Sequence, residues 1–167
     1  KICYHANDGT SILETSNHEY NLASKLRANT FVKQGYSFIG WATSENGTTQ
    51  YCDCDNVLNL SVINNDIIHL YAVWTANNYQ IKYIANGGYG TMPNSSHMYD
   101  KSYYLDKCQY ERRGYSFVGW ALSASGEKVY TDGDSVMNLT SSKNGVVSLY
   151  ASWEPNTYTI TFDMQGG

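Results

Sequence analysis

The feature that most constrains this chain is an internal repeat with a period of 79 residues. Shifting the sequence by that distance aligns residues 35–42 (GYSFIGWA) with residues 114–121 (GYSFVGWA), and residues 70–74 (LYAVW) with residues 149–153 (LYASW). Solenoid units are shorter, at roughly 20–45 residues, and bury their apolar face only against neighbouring copies. Each copy in this chain is therefore predicted to be a small domain.

The repeat also sets the predicted domain boundaries. The opening segment at residues 2–4 (ICY) recurs at residues 81–83 (IKY) and again at residues 160–162 (ITF). We predict module one over residues 1–76, module two over residues 77–155, and the first strand of a truncated third module over residues 156–167. The links between copies are only about four residues long, which restricts bending.

Period-two alternation predicts that each module is rich in β-strands. Tyr79, Ile81 and Tyr83 share one face of the opening strand, and the closing strand alternates in the same way. The 16 tyrosines suit half-buried strand faces with a polar tip. Asn and Gly after the opening strand predict a tight turn, and Gly40 predicts a bulge or a close backbone approach. Residues 55–60 and 134–139 are predicted to form a short helix capped by Asp.

Aromatic, leucine and glycine positions shared by both copies are predicted to form the structural core of each module. A unit of this size has a modest core, so large apolar side chains are most simply core-filling. The predicted core consists of Tyr36, Phe38, Gly40, Trp41, Leu70, Tyr71 and Trp74, with their counterparts Tyr115, Phe117, Gly119, Trp120, Leu149, Tyr150 and Trp153.

Charge and hydropathy exclude several partners. The formal net charge is -4, and no stretch gathers several Lys or Arg residues into the basic patch typical of nucleic-acid or anionic-membrane binding. No apolar run approaches the roughly 18 residues that a membrane span needs. We therefore expect neither nucleic acid as a partner nor a membrane span within this fragment.

The cysteines do not belong to the repeated architecture. The 79-residue shift places Lys82, Thr131, Gly133 and Asn29 opposite Cys3, Cys52, Cys54 and Cys108. A disulfide framework that built the fold would recur in each copy, and the connectivity stays open. Residues 52–54 (CDC) have no second pair at zinc spacing, so we expect no zinc site.

Acidic and histidine positions that recur were weighed as chemical sites. Asp53 and Asp55 correspond to Asp132 and Asp134, where carboxylates could hold calcium, although the full calcium loop is missing and turn formation with helix capping explains them more simply. His18 and His97 form one equivalent pair, with no recurring Ser or Cys nucleophile expected beside them. We predict no catalytic residue, no metal and no cofactor.

The string G-Y-S-F-x-G-W-A, followed about thirty residues later by L-Y-A-x-W and preceded by a strand ending in N-G-G, resembles the Listeria–Bacteroides repeat, also called the internalin B-repeat family. The resemblance covers nearly the whole chain. It implies a β-rich α+β fold of tandem small β-grasp-like (ubiquitin-like) modules, each with a few-stranded antiparallel or mixed sheet and one short helix. It further implies secreted or wall-attached bacterial proteins at the extracellular cell surface.

Three functions were weighed on this basis. The first is a non-catalytic stalk or spacer with a role in adhesion, whose partners are neighbouring modules and domains of the same protein. The second is a module that binds a host protein or glycan through exposed aromatics or a free sheet edge, with Tyr103 and Tyr104, which replace Ser24 and Lys25, as the candidate binding residues. The third, an enzyme, would need a cleft with convergent polar groups.

Overall fold

The computed structural model describes residues 1–163 and residue 166, and every helix or strand among them is a β-strand. The chain divides into two compact units, the first holding Lys1–Asn77 with Ser141–Lys143, and the second Asn78–Thr140 with the residues from Asn144 onward. The strands of module one are β1 (Ile2–His5), β2 (Leu13–Ser16), β3 (Ser24–Lys25), β4 (Tyr36–Ala42), β5 (Asn56–Val57) and β6 (Ile68–Ala76). Those of module two are β7 (Asn78–Ile84), β8 (Ser95–Met98), β9 (Tyr103–Tyr104), β10 (Tyr115–Ala121), β11 (Lys128–Tyr130), β12 (Ser135–Val136) and β13 (Gly145–Pro155).

Each module is built on one mixed sheet. In module one the order is β2-β1-β6-β4, with the opening strand β1 parallel to the closing strand β6 and antiparallel pairs on either side. Module two repeats this arrangement as β8-β7-β13-β10 and adds β11 beyond β10. A parallel pair needs a long crossover, and here the crossover contains the rest of the module. A two-stranded ribbon, β3-β5 or β9-β12, completes each copy.

The predicted short helix is wrong in both modules. Asn56 and Val57 pair with β3, and Ser135 and Val136 pair with β9. Asn59 (φ 54°) then takes a left-handed conformation that ends any regular run of helical dihedrals. A six-residue segment is also too short to offset the cost of nucleating a helix. The chain is therefore all-β over its described residues, and the β-grasp arrangement around a helix is not confirmed.

Two turn features of the sequence are confirmed. Asn7 (φ 50°) and Gly9 (φ 93°) follow β1 in left-handed conformations, as Asn86 and Gly87 follow β7. The register of β4 against β6 shifts between Phe38 and Gly40, which marks a bulge at the expected glycine. A Cβ on Gly40 would lie 2.5 Å from the carbonyl oxygen of Tyr51, so the backbone also approaches closely there.

A cluster of aromatic rings fills the space above each sheet. Trp41 is fully buried, and the Tyr4 and Phe38 rings meet it with centroid distances of 5.0 and 4.9 Å. In module two Trp120 takes the same place, with Tyr83 and Phe117 both at 4.9 Å. Aromatic pairs in such tilted and edge-on geometries stabilise a core beyond the area that they bury.

Residues 156–163 contain no strand, and the assignment of residues 156–167 to the start of a third module stays a prediction. In modules one and two the opening strand pairs with the closing strand of its own copy. Met164, Gln165 and Gly167 lie outside the described residues. Among the described residues no helix is long and apolar enough to cross a membrane.

Candidate functional site

The predicted core positions differ in burial: some lie at the buried centre of each sheet and others at its partly exposed rim. Trp41, Trp120, Leu70 and Leu149 are buried to 1 % exposure or less, and both bulge glycines are buried. The half-buried positions are Tyr36, Phe38, Tyr71, Trp74, Phe117, Tyr150 and Trp153. Tyr115 is exposed, and the Arg112 guanidinium carbon lies 3.9 Å from its ring centroid. Trp74 and Trp153 each donate their indole N–H to a backbone carbonyl, of Ala6 at 2.8 Å and of Ala85 at 2.9 Å.

One shared asparagine in each module is fully engaged in holding the fold. The amide nitrogen of Asn7 donates to the carbonyl oxygens of Glu45 at 2.8 Å and Ala72 at 2.9 Å. Asn86 makes the equivalent pair of bonds, to Ala124 and Ala151, both at 2.9 Å. Because its two donors are used, this side chain pins the loop after the opening strand and is not free for chemistry.

The recurring aspartates that could have held calcium instead accept backbone hydrogen bonds. Asp53 accepts from the Asn29 amide at 2.9 Å, and Asp55 accepts from the Cys52 amide at 2.6 Å. Asp132 and Asp134 accept equivalent bonds, at 2.9 and 2.6 Å. Turn formation, the simpler of the two explanations, accounts for these carboxylates. Over the described residues no three His, Cys, Asp or Glu side chains cluster as a metal site would require.

The structure corrects the expectation that no nucleophile recurs beside the paired histidines. Ser16 Oγ lies 2.8 Å from His18 Nε2, and Ser95 Oγ lies 2.9 Å from His97 Nε2. In module two both residues lie on the edge strand β8, two positions apart, so their side chains share a face, whereas in module one Ser16 ends β2 and His18 follows it. This contact was hidden in the sequence, where serine is common. A triad also needs a carboxylate that orients the imidazole, and the second nitrogen of His18 meets the Ser24 hydroxyl at 2.6 Å instead.

The two histidines differ in one respect. In module one both imidazole nitrogens of His18 have hydroxyl partners, Ser16 and Ser24. In module two Tyr103 replaces Ser24, and His97 Nδ1 is buried with no hydrogen-bond partner among the described residues. His97 is only 3 % exposed, and desolvation by burial lowers its pKa, an effect partly offset by the charge of Asp106. The imidazole is therefore neutral near pH 7.

A cavity of about 430 Å³ opens beside this histidine. We call it the His97 pocket, and its lining residues are Asn78, Tyr79, Gln80, Ser96, His97, Tyr103 and Asn144. The rings of Tyr79 and Tyr103 lie 5.4 and 4.7 Å from the His97 ring, centroid to centroid. Small-molecule sites commonly occupy about 300–1,000 Å³ and combine aromatic walls with a few polar groups.

The structure separates the two tyrosines that the sequence singled out. Tyr103 points inward against His97 and lines the pocket, whereas its neighbour Tyr104 is 77 % exposed and does not. Successive residues of a strand face opposite sides, which explains the difference. Tyr20 and Tyr99, the equivalent pair whose exposure would have favoured a shared binding surface, are exposed and half-buried respectively.

Module one has a cavity of its own, of about 290 Å³, at a place that a buried core side chain fills in module two. It is bordered by Ile2, His18, Asn59 and Leu60. In module two the equivalent residues surround Tyr79, whose side chain is buried against His97 and Leu139. No ligand is assigned to this cavity.

All four cysteines are free thiols over the described chain, which answers the connectivity question left open by the sequence. Cys3 is buried, Cys52 is exposed, and Cys54 and Cys108 are half-buried. Burial raises the pKa of the Cys108 thiol, so that thiol is protonated near neutral pH.

Taken together, the fold defines an all-β tandem-repeat protein in which the recurring Asn, Asp and Trp groups maintain the backbone of each copy. The chain belongs to the Listeria-Bacteroides repeat domain family, which matches residues 1–73 and again residues 79–152. The family is typical of bacterial surface proteins and is generally non-catalytic.

Two relatives from Evansella cellulosilytica are similar to this chain. One carries the name "Putative Gly-rich membrane protein" and is 31% identical over 140 residues, which cover 81% of this chain and 16% of the relative. The other, named "Putative membrane protein", is 30% identical over 136 residues, or 78% of this chain and 18% of the relative. The chain thus spans less than a fifth of the length of these relatives.

Proposed function

We propose that this chain is a non-catalytic spacer of an extracellular bacterial surface protein, wall-attached or secreted, that holds neighbouring domains away from the cell and assists adhesion. One observation carries the proposal: an asparagine, an aspartate and a tryptophan that recur in both copies each bond the backbone of their own module. Asn86 bonds two carbonyls, Asp134 bonds an amide, and Trp153 bonds a carbonyl, each with a counterpart in module one.

This use of shared groups distinguishes a spacer from an enzyme. Catalytic side chains must present unsatisfied donors, acceptors or nucleophiles to a substrate, and a duplicated active site would keep them in both copies. A spacer needs only that each copy folds and that copies follow one another closely. The membership of the chain in a repeat family of surface proteins supports this function.

The spacer function can be tested by varying copy number. A reporter epitope is displayed on a bacterial cell through a wall anchor, with zero, one or two tandem copies of this chain between anchor and epitope. Antibody accessibility should rise with each copy, because folded modules add length that a collapsed chain does not. A Gly/Ser linker with the same number of residues is the control, since a flexible coil extends only with the square root of its length. Accessibility that does not change with copy number, or that the flexible linker matches, would contradict the proposal.

The alternative function, ligand binding by module two, has one specific observation in its favour. That observation is the cavity of about 430 Å³ beside His97, where the Tyr103 ring stands in place of the Ser24 hydroxyl of module one.

A further inference from the structure

Two histidines that module two lacks meet on the outer face of the module-one sheet. Each lies next to a buried core residue on its strand, so both imidazoles project from the face opposite the core. His5 Nε2 and His69 Nδ1 are 2.8 Å apart, and this contact lies at an exposed position. The matching residues of module two are Ile84 and Ser148, so the fold does not need the pair.

The spacing of the two nitrogens suits a metal ion as well as a hydrogen bond. Metal–imidazole bonds are about 2.0–2.1 Å long, so two nitrogens that bind one metal at a right angle lie about 2.8–3.0 Å apart. Tetrahedral ligands with the same bond lengths lie about 3.3–3.4 Å apart. Right-angled nitrogen and oxygen ligands are typical of copper(II) and nickel(II), and copper(II) binds a given site most strongly among the divalent ions of the series. The distance between His5 Nε2 and His69 Nδ1 therefore favours copper(II) over zinc(II).

The surroundings hold the imidazoles in place. The His5 ring stacks on the Tyr71 ring, with centroids 4.5 Å apart and planes inclined by 12°. Strands β1 and β6 are the two central strands of the sheet, where Cys3 pairs with His69 and His5 pairs with Tyr71. Ligands on the strands of a scaffold are positioned more precisely than ligands on loops. The pair is therefore set close to a binding geometry by the fold itself.

Charge also favours a cation at this pair. Burial and the neighbouring His69 lower the pKa of His5, so its imidazole is neutral and able to bind a metal near pH 7. The Glu45 carboxylate has the opposite effect on that pKa, because its negative charge acts on the His5 ring. Asn7 fixes the backbone there by donating to the Glu45 carbonyl oxygen at 2.8 Å. The residue matching Glu45 in module two is Ala124, so this charge, like the two imidazoles, belongs to module one alone.

The pair is smaller than the ligand set of a resident metal centre. Structural and catalytic zinc sites use three or four protein ligands. In the described part of the chain no three His, Cys, Asp or Glu side chains are placed to hold a metal. An open copper(II) site differs, because water oxygens can take the positions that two imidazoles leave free. We expect exchangeable binding at the surface rather than a metal that folding requires.

We propose that module one binds a copper(II) ion through His5 Nε2 and His69 Nδ1, with water in the remaining equatorial positions. The N–H proton that lies between the two rings moves through solvent to the outer nitrogen of its own ring, so that both inner nitrogens present a lone pair to the metal. Both imidazoles stay neutral, and no electron is transferred. This activity goes beyond the spacer function, since a spacer needs no metal.

The test titrates copper(II) into the full 167-residue chain at neutral pH. Thiols reduce copper(II), so the parent for this test carries Cys52→Thr, Cys54→Gly and Cys108→Asn, each the residue of the other copy at that position. Cys3 is kept because it is buried. Calorimetry with glycine as a competing ligand gives the stoichiometry and the affinity, and pulsed EPR counts coordinated imidazoles through their remote nitrogens. We expect one copper ion per chain and two imidazole ligands.

Two ligand variants and one control make the experiment specific. His5→Ile and His69→Ser install the module-two residues, so each should fold and weaken binding by about tenfold or more, a loss typical of disrupted metal sites. His69→Ser also excludes chelation by the N-terminal amine together with His5, which it would leave intact. Thr15→Asn is the matched control, because it installs the module-two residue at an exposed position opposite Cys3. Its affinity should stay within about twofold of the parent.

Four results would overturn the proposal. These are no binding of copper(II), fewer than two imidazoles in the EPR spectrum, undiminished affinity in His69→Ser, and zinc(II) binding as tightly as copper(II). Thermal melting verifies that the variants fold. Should both ligand variants unfold, pulsed EPR on the parent decides instead: two coordinated imidazoles support the proposal, and one or none refutes it.

Discussion

At the scale of the residue, left-handed backbone positions show how the two copies reached the same geometry with different side chains. Nine non-glycine residues among those described have positive φ, and seven of them are asparagines. Asparagine and aspartate tolerate this region because their short polar side chains bond locally. Cys54 (φ 59°) is the exception, and its counterpart Gly133 (φ 77°) has the residue best suited to the conformation. Module one thus carries a strained turn that module two avoids.

The substitution Cys54→Gly is expected to stabilise module one. Removing Cβ relieves a left-handed conformation that costs roughly 1–2 kcal/mol, and the greater freedom of glycine in the unfolded chain offsets about half of the gain. We expect the free energy of unfolding to rise by about 0.5–1 kcal/mol in urea denaturation of the whole chain. Gly133→Cys is the reciprocal variant and should lower the stability of module two. A neutral or opposite result for both would show that the turn is not strained.

The bulge glycine of module two is expected to be intolerant of any side chain. A Cβ on Gly119 would overlap the Tyr130 carbonyl oxygen, and φ there is 145°. Gly119→Ala should therefore destabilise the module by about 2–4 kcal/mol, because backbone rather than a flexible side chain must move. Gly114→Ala is the control, since φ is 77° but nothing lies within 4 Å of the added atom. Its cost should be about 1 kcal/mol, and equal losses in thermal melts would exclude the steric explanation.

At the scale of the element, short strands and long loops depend on side chains for their position. The ribbon β9-β12 contains only two residue pairs, too few to be stable by itself. Asp100 and Asn138 reinforce it through a reciprocal bond, with Asn138 Oδ1 accepting from the Asp100 amide at 2.6 Å and its Nδ2 donating to the Asp100 carboxylate at 2.7 Å. Asn21 and Asn59 make the same pair of contacts in module one. Side-chain hydrogen bonds of this kind, rather than a helix, hold the segments that the sequence pattern had predicted to be helical.

Asn86→Asp is expected to release the loop after β7. The change keeps the size of the side chain but places a carboxylate where an amide nitrogen donated to two carbonyl oxygens. Lost hydrogen bonds and repulsion between oxygens should cost about 2–4 kcal/mol of stability. Hydrogen exchange of module two would report the opening, with protection lost first near Ala151. The control Asn17→Asp makes the same charge change at an exposed position and should alter stability by less than about 0.5 kcal/mol.

At the scale of the whole molecule, histidines that are partly or fully removed from solvent couple the stability of both modules to pH. Burial lowers the pKa of His18 and of His97 below the ordinary value of 6.5. For His5 burial is again the main cause, and the neighbouring His69 lowers its pKa further. The unfolded chain therefore binds more protons than the folded chain below pH 6.5, and stability must fall as the solution becomes acidic through that region.

Acidification from pH 7.5 to about 5 is expected to lower the melting temperature of the chain. The aspartates affect stability only at lower pH. Hydrogen bonds from Thr10 and Thr131 lower the pKa of Asp8 and Asp134 below 3.8, so the stability that these carboxylates contribute is lost only below that value. Scanning calorimetry across this range measures the effect. His5→Ile with His69→Ser, the residues of module two, removes the surface pair and should reduce the slope without abolishing it. A melting temperature independent of pH between 7.5 and 5 would contradict the lowered pKa values of these histidines.

The sequence by itself determined the repeat, the strand-rich modules, the bulge at Gly40 and the family. Fixed spacing and period-two alternation can be found along the chain without knowing which segments meet in space. It did not determine the fate of residues 55–60, where an Asp before an apolar run suits either a helix cap or a turn, and only pairing with β3 selected the turn. It also noted His97 and Tyr103 separately without joining them. Their contact, and the unpaired nitrogen that results, depend on strands β8 and β9 meeting in space, which only the tertiary structure decides.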